Sequence, residues 1–283
     1  MIVKKRKLTF LLVIPRFEDI FHSYYAGEII KGVSLSASRV DADFLVHITN
    51  RQNHQHWFGG TLLDRNYIDG VIFADIENDI SLPKRVIQAR IPCLVLNNIL
   101  HEPMNYVAVD NKKAAEEIVE YLVKSGHRKI ATIAGDQTTQ SGLMRLEGFK
   151  EALERHGLPL PKNYIALGDY LRTPARIAAQ KLLKLKEKPT AVFAASDVMA
   201  LELMDVAKSM NIRVPEDLSV IGFDDNPLVA ASPVGLTTVS QPLVEMGRVG
   251  AENLFQIIQG KAKLPVKIIL STKLVKRKSV VEI

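Results

Sequence analysis

Cysteine is nearly missing from this chain. Cys93 stands alone among 283 residues, which excludes an internal disulfide and any metal cluster built on several thiolates. Its setting, Ile91-Pro92-Cys93-Leu94-Val95-Leu96, predicts a buried thiol acting as a small hydrophobe. A chain without disulfides fits the cytoplasm but does not require it. Long apolar runs are also missing. None approaches the ~18 residues that a membrane-spanning helix needs. The start, Met1-Ile2-Val3-Lys4-Lys5-Arg6-Lys7 followed by an apolar stretch, has the charge pattern of an export signal. However, the apolar stretch is short, and Arg16, Glu18 and Asp19 follow it in place of a small-residue cleavage site. It reads better as a first β-strand.

Nucleotide and hydrolase markers are absent too. There is no Gly-x-Gly-x-x-Gly after a strand, no phosphate-loop Gly-x-x-x-x-Gly-Lys-Ser/Thr, no Gly-x-Ser-x-Gly and no His-Glu-x-x-His. His54-Gln55-His56-Trp57 is the nearest approach to a metal motif. Histidines two apart share a side only in a strand, and no third ligand accompanies them, so a polar helix start or loop is the simpler reading. Asp224-Asp225 can serve as an acid pair, as hydroxyl acceptors or as helix caps. No base or nucleophile is marked beside it.

What is present is a soluble-globular composition, 47% hydrophobic and 24% charged. The net charge is +6, and four of the positive charges are Lys4, Lys5, Arg6 and Lys7, so the remaining body carries about +2. Such a body does not have the uniform basicity of a nucleic-acid-binding surface. The basic start is either a solvated tail or a lead toward a DNA-binding segment.

Short apolar runs alternate with amphipathic stretches. Segments 8–14, 44–49, 70–74, 93–96, 130–134, 191–195 and 218–223 are nearly all apolar, the pattern of buried parallel strands. Helix-period segments lie at 112–125, 145–156, 198–210 and 242–259. Asp110 or Asn111 can cap the first and Gly126 end it, while Ser196-Asp197 precedes the third. Repeated β-α-β units imply parallel sheets with helices on both faces. There are too many for one sheet, and the pattern restarts near residue 110. The expectation is an α/β chain of two doubly wound lobes with ligand contacts at the carboxyl ends of the strands.

Several stretches, in order, resemble the lactose-repressor/galactose-repressor family of transcription regulators. They are Ile68-Asp69-Gly70-Val71-Ile72, Ile91-Pro92-Cys93-Leu94-Val95-Leu96-Asn97, Val109-Asp110-Asn111, Gly126-His127-Arg128-Lys129-Ile130 and Arg145-x-x-Gly148-Phe149. The series continues with Pro189-Thr190-Ala191-Val192-Phe193-Ala194-Ala195-Ser196-Asp197, then 214–225, closing on Gly222-Phe223-Asp224-Asp225, and Leu236-Thr237-Thr238-Val239-Ser240-Gln241-Pro242. Each motif is weak alone; the ordered set, from about residue 8 to the end, is specific.

The resemblance implies a type I periplasmic-binding-protein-like fold with three crossovers. One lobe would comprise residues 8–109 plus 242–267, the other 110–241 plus 268–283. It also implies a homodimer in the cytoplasm, no cofactor, no metal and no membrane partner. A small-molecule effector, a sugar or related metabolite, would bind between the lobes and change their orientation. That change would alter the spacing of two DNA headpieces on operator DNA. About seven residues stand where the family carries its helix-turn-helix headpiece, too few to build one, so operator DNA would be reached only through a headpiece these residues do not include.

Carried over position by position, the ligand-binding residues would be Phe21, His22 and Tyr25 in the loop after the first strand, then Asn97, Leu143, Tyr170, Ser196, Asp224 and Gln241. Asp224 would accept hydroxyl hydrogen bonds and Tyr170 would pack on a ring. Leu143 stands where the family places a ligand-clamping arginine, and Ser196 where it usually has asparagine. Arg145 reads as structural, with Arg172 a candidate substitute clamp. Both departures loosen the assignment to a simple sugar. A solute-binding protein of a transport system, which shares the fold, and an enzyme remain the alternative readings.

Overall fold

A computed structural model describes residues 6–15, 23–49, 66–76, 79–230 and 232–283. His54, His56, Phe21 and His22 lie outside the described residues. The chain divides into two compact units, one of residues 1–109 and 242–270, the other of residues 110–241 and 271–283. The chain therefore passes between them three times. The last passage follows Leu270 and not residue 267, because the strand Lys267–Leu270 pairs in the first sheet.

The first unit holds a six-stranded sheet in the order β11-β5-β4-β3-β1-β2. Its strands are β1 (Thr9–Pro15), β2 (Asp43–Thr49), β3 (Gly70–Ala74), β4 (Cys93–Leu96), β5 (Tyr106–Val109) and β11 (Lys267–Leu270), all paired in parallel. Side chains alternate across such a sheet. Phe10, Leu12, Ile14, Ile72, Leu94 and Val107 enter one core with helices α1 (Tyr24–Arg39) and α8 (Leu243–Ile258). Leu11, Val13, Val71, Phe73, Cys93 and Val95 enter a second core on the opposite face, with Val86 of helix α2 (Ser81–Gln88). Burial on both faces is why these strands read as unbroken apolar runs. It also pushes the Cys93 thiol far above its ordinary titration range. Strand β2 departs from that expectation: it is the sheet edge, and Leu45, Val46 and Ile48 are exposed.

The second unit holds the order β12-β10-β9-β8-β6-β7. Its strands are β6 (Ile130–Ala134), β7 (Ile165–Leu167), β8 (Ala191–Ala194), β9 (Ser219–Asp224), β10 (Thr237–Ser240) and β12 (Lys273–Val275). Strand β12 runs antiparallel to β10, so this sheet is parallel except at one edge. Helices α3 (Asn111–Lys124), α4 (Gln140–Arg155), α5 (Arg172–Leu183) and α6 (Asp197–Ser209) cover it around Phe149, Phe193 and Phe223. A short helix α7 (Pro227–Ala230) follows β9.

Local chemistry sets the helix boundaries. Asp110 caps α3 by accepting from Lys113 N, and Gly126 beyond its end takes a φ of 97°. Ser196 caps α6 through Met199 N. Helix α4 begins at Gln140, earlier than its apolar periodicity indicated, because the Thr139 hydroxyl accepts from Gly142 N and supplies the cap. The expected loop after β1 likewise ends sooner. Tyr25 stands in the first turn of α1, behind the N-cap Ser23, and packs against the first unit's core.

Candidate functional site

Parallel α/β sheets bind ligands outside the carboxyl ends of their strands, because the strand-to-helix turns converge there. Backbone strain marks the same ends here. Among the described residues, nine non-glycine residues have positive φ. Asp41, Arg90 and Asn211 follow helices; of the other six, Asp224 ends β9 and Asp75, Asn97, Asp169, Tyr170 and Asp225 follow strands β3, β4, β7 and β9. Left-handed backbone is costly for a side chain with a Cβ and persists where the surroundings over-determine it.

In the first unit, Asn97 follows β4 and is 2% exposed. Its backbone N–H donates to Val107 O at 2.9 Å, and its side-chain Oδ1 is buried without a hydrogen-bond partner. The neighbouring Asn98, which the sequence did not single out, accepts from Ile76 N (3.0 Å) and donates to Ile76 O (3.1 Å), locking the ends of β3 and β4 together.

In the second unit, Asp224 ends β9. Gln241, just after β10, donates Nε2–H to Asp224 Oδ1 at 2.7 Å. The Arg145 guanidinium stands 3.9 Å from the same oxygen. Arg145 itself is held by α4. Its Nε donates to Asn111 Oδ1 (2.8 Å), its Nη1 donates to Ala195 O (2.6 Å), and the guanidinium lies over the Phe223 ring. Asp197, on the first turn of α6, accepts from the Thr238 hydroxyl (2.6 Å) and from Asn226 N (2.8 Å).

Burial is the main force on both acids and raises both. Asp197 is pushed up to about 7 by desolvation, reinforced by the Asp224 charge. Asp224 is raised to about 6 by desolvation, with Arg145, Gln241 and the Asp197 backbone N–H opposing that rise. The two titrate as a pair.

Tyr170 is half-buried, its hydroxyl donating to Ser141 Oγ at 3.4 Å, and its ring lies so close to Gly135 that a Cβ there would collide with it. Leu143 is half-buried in the first turn of α4. Arg172 donates Nε–H to Glu202 at 2.7 Å, and Arg176 pairs with the same buried carboxylate; Arg172 is thus committed to a partner inside its own unit. Arg277 pairs with Asp225 at 2.6 Å.

Of the nine candidate residues, Leu143, Tyr170, Ser196, Asp224 and Gln241 therefore belong to the second unit, and Tyr25 and Asn97 to the first. The Asp224–Gln241 link was invisible in sequence because it joins residues 17 apart across neighbouring strands. The Asp197 side chain was read only as a cap; its burial between β9 and β10 is a tertiary result. Arg145 takes the structural position expected of it.

A family model for a periplasmic binding protein-like domain matches residues 119–280. The HTH-type transcriptional regulator CelR of Thermobifida fusca is 32% identical over 283 residues, covering 99% of this chain and 83% of that protein. The HTH-type transcriptional repressor CytR of Escherichia coli (strain K12) is 36% identical over 262 residues, covering 89% and 73%. Among solved structures, a complex of CelR with cellobiose superposes with a TM-score of 0.89 at 32% identity, over 98% of this chain and 86% of that one. A lac repressor dimer bound to operator has a TM-score of 0.87 at 24% identity, over 98% and 96%, a likeness of fold. The matched domain, the near-complete coverage and the ordered motifs agree, and the chain belongs to the lactose-repressor (LacI) family of transcription regulators.

Proposed function

We propose that this chain is the effector-binding and dimerisation core of its regulator, and that it recognises a small polyhydroxylated metabolite at the carboxyl ends of its sheets. The observation that carries this is the oriented carboxylate of Asp224, held by Gln241 Nε2 at 2.7 Å and only 18% exposed at its side chain. A carboxylate pinned in this way is a directional acceptor for hydroxyl groups. Tyr170 offers a ring face 5.8 Å from the Arg145 guanidinium that flanks this carboxylate. The CelR relative was solved with cellobiose, which supports a sugar or sugar derivative as the class.

The role is binding and not catalysis. The effector acts by preferring one of two conformational states, and its influence on operator DNA equals its differential affinity for them. A solute-binding role in transport has the fold in its favour, but the relatives identified by sequence are regulators.

A thermal-shift screen of sugars, sugar derivatives and nucleosides tests the assignment. A ligand at about a hundred times its Kd adds ~2.7 kcal/mol of native-state stability, hence a rise of about 5 °C or more in Tm. Asp224→Ala should abolish the shift. A hit that binds Asp224→Ala as tightly as the native protein would remove the site.

A further inference from the structure

Charge in the second unit is sorted by end. Asp136, Asp169, Asp197, Asp224 and Asp225 stand at or just beyond the carboxyl ends of its strands. Strands β8, β6 and β7 are parallel neighbours, so the chain enters all three at the opposite end of the sheet. The turns leading in, 125–129, 157–164 and 184–190, hold Arg128, Lys129, Lys162, Lys184, Lys186 and Lys188, all exposed. The acids there are Glu187 and, on the C-terminal segment whose Ile283 N–H donates to Ser125 O, Glu282. A near balance of charge along the body thus conceals a basic rim.

Local chemistry accounts for part of it. Lys124 and Lys181, in the last turns of α3 and α5, complement the helix dipoles. Arg128 donates to Val123 O at 3.0 Å, and Lys129 stands 3.5 Å from Glu187. Lys162, Lys184, Lys186 and Lys188 remain. None of their ammonium groups has a hydrogen bond or ion pair among the described residues. Like charges gathered in this way repel one another until an anion neutralises them.

The kind of anion follows from what surrounds the lysines. Tyr164 and Pro189 are buried, and Leu158, Leu160 and Leu185 pack against the unit's own core. The turns therefore present no exposed large apolar side chain to form the centre of a protein interface. They present no exposed ring on which unpaired bases would stack. What they offer is a row of flexible point charges, which suits the phosphodiester backbone of a duplex, with one charge per ~1.7 Å of axis.

We propose that this amino-end rim of the second unit is a contact surface for duplex DNA, holding the backbone without reading sequence. The carboxylates at the other end of the sheet repel the same polyanion and so orient it. The surface lies apart from the effector residues and does not depend on them.

The test uses this 283-residue chain with a fluorescent duplex of about 20 base pairs and random sequence, read by anisotropy. Neutralising about four phosphates gives a log–log salt slope near −3.6, hence about a hundredfold loss in affinity between about 50 and 200 mM salt. Combining Lys162→Gln, Lys184→Gln, Lys186→Gln and Lys188→Gln should weaken low-salt binding by about tenfold or more and flatten the slope. Lys162→Gln and Lys186→Gln, each made singly, should lower the slope by about 1, a readout that stands even if the combined variant loses stability. Lys4→Gln, Lys5→Gln and Lys7→Gln together should leave most of the binding in place. Polyglutamate of matched charge should compete less well than unlabelled duplex. No binding at low salt, full binding by the combined variant, loss caused by the changes at 4, 5 and 7 instead, or equal competition by polyglutamate would each overturn the inference.

Discussion

The guanidinium of Arg145 lies 3.6 Å from the centre of the Phe223 ring, and in that position it ties three elements of the second unit together. Its Nε reaches Asn111 at the start of α3, its Nη1 reaches the carbonyl after β8, and its face covers the residue before Asp224. Arginine suits this place because its planar fork bonds at its edge and stacks on its face. A lysine ammonium can do only one of these. Arg145→Lys should therefore cost about 3 kcal/mol, within the range for breaking a buried charged network. Urea denaturation measures it, and a loss below about 1 kcal/mol would show that the network contributes little.

The Asp197 carboxyl makes stability depend on pH in an unusual direction. Its folded-state pKa of about 7 lies above the ordinary 3.8. The native state thus holds the proton more tightly than the unfolded chain, and between those values stability falls as pH rises. Asp224, raised to about 6, adds to the same trend. In Asp197→Asn the amide can accept from Asn226 N and donate to Thr238 Oγ1. The variant should show a flatter Tm profile from pH 4 to pH 7 than the native protein, by an amount set by one fewer titrating group. An unchanged profile would mean that Asp197 is ionised throughout.

Helices α1 and α8 meet through glycine. A Cβ at Gly32 would collide with the backbone carbonyl of Val244, and one at Gly247 with that of Ile29. Both obstacles are main chain and cannot rotate away. Gly32→Ala should cost about 1–3 kcal/mol through overpacking, although alanine is the better helix former. Gly27, on the same helix, has nothing near its Cβ position, so Gly27→Ala should be neutral or stabilising. Thermal denaturation of the two variants side by side separates packing from propensity.

Ser196 has a structural duty that any ligand role must share. Its hydroxyl accepts from Met199 N at 3.3 Å to cap α6. Ser196→Ala should lose about 1 kcal/mol, while Ser196→Asn keeps a capping oxygen and should stay within about 0.5 kcal/mol of the native protein. If the alanine variant costs nothing in chemical denaturation, the cap is unimportant and the buried hydroxyl must be explained by other contacts.

Composition and pattern by themselves determined a good deal. The apolar runs at β1, β3, β4, β6, β8 and β9 are strands because both of their faces meet helices, so burial leaves no polar alternation to obscure them. The caps at Asp110 and Ser196 were legible because a helix start needs a side-chain acceptor within three residues, a purely local requirement. The ordered motifs carried the family. Short edge strands such as β7 and β12 had no such signal, because three residues at an edge are not fixed by their own hydrophobicity; β2 was legible as a strand, but its exposure at the sheet edge was not. Tertiary structure alone decided the chemistry at Asp224. Whether a carboxylate after a strand caps a helix or presents an oriented acceptor depends on what stands on the next strand and on how much water is excluded. Gln241, Arg145 and Asp197 reach Asp224 only after β8, β9 and β10 are laid side by side, because hydrogen bonding and desolvation act through space and not along the chain.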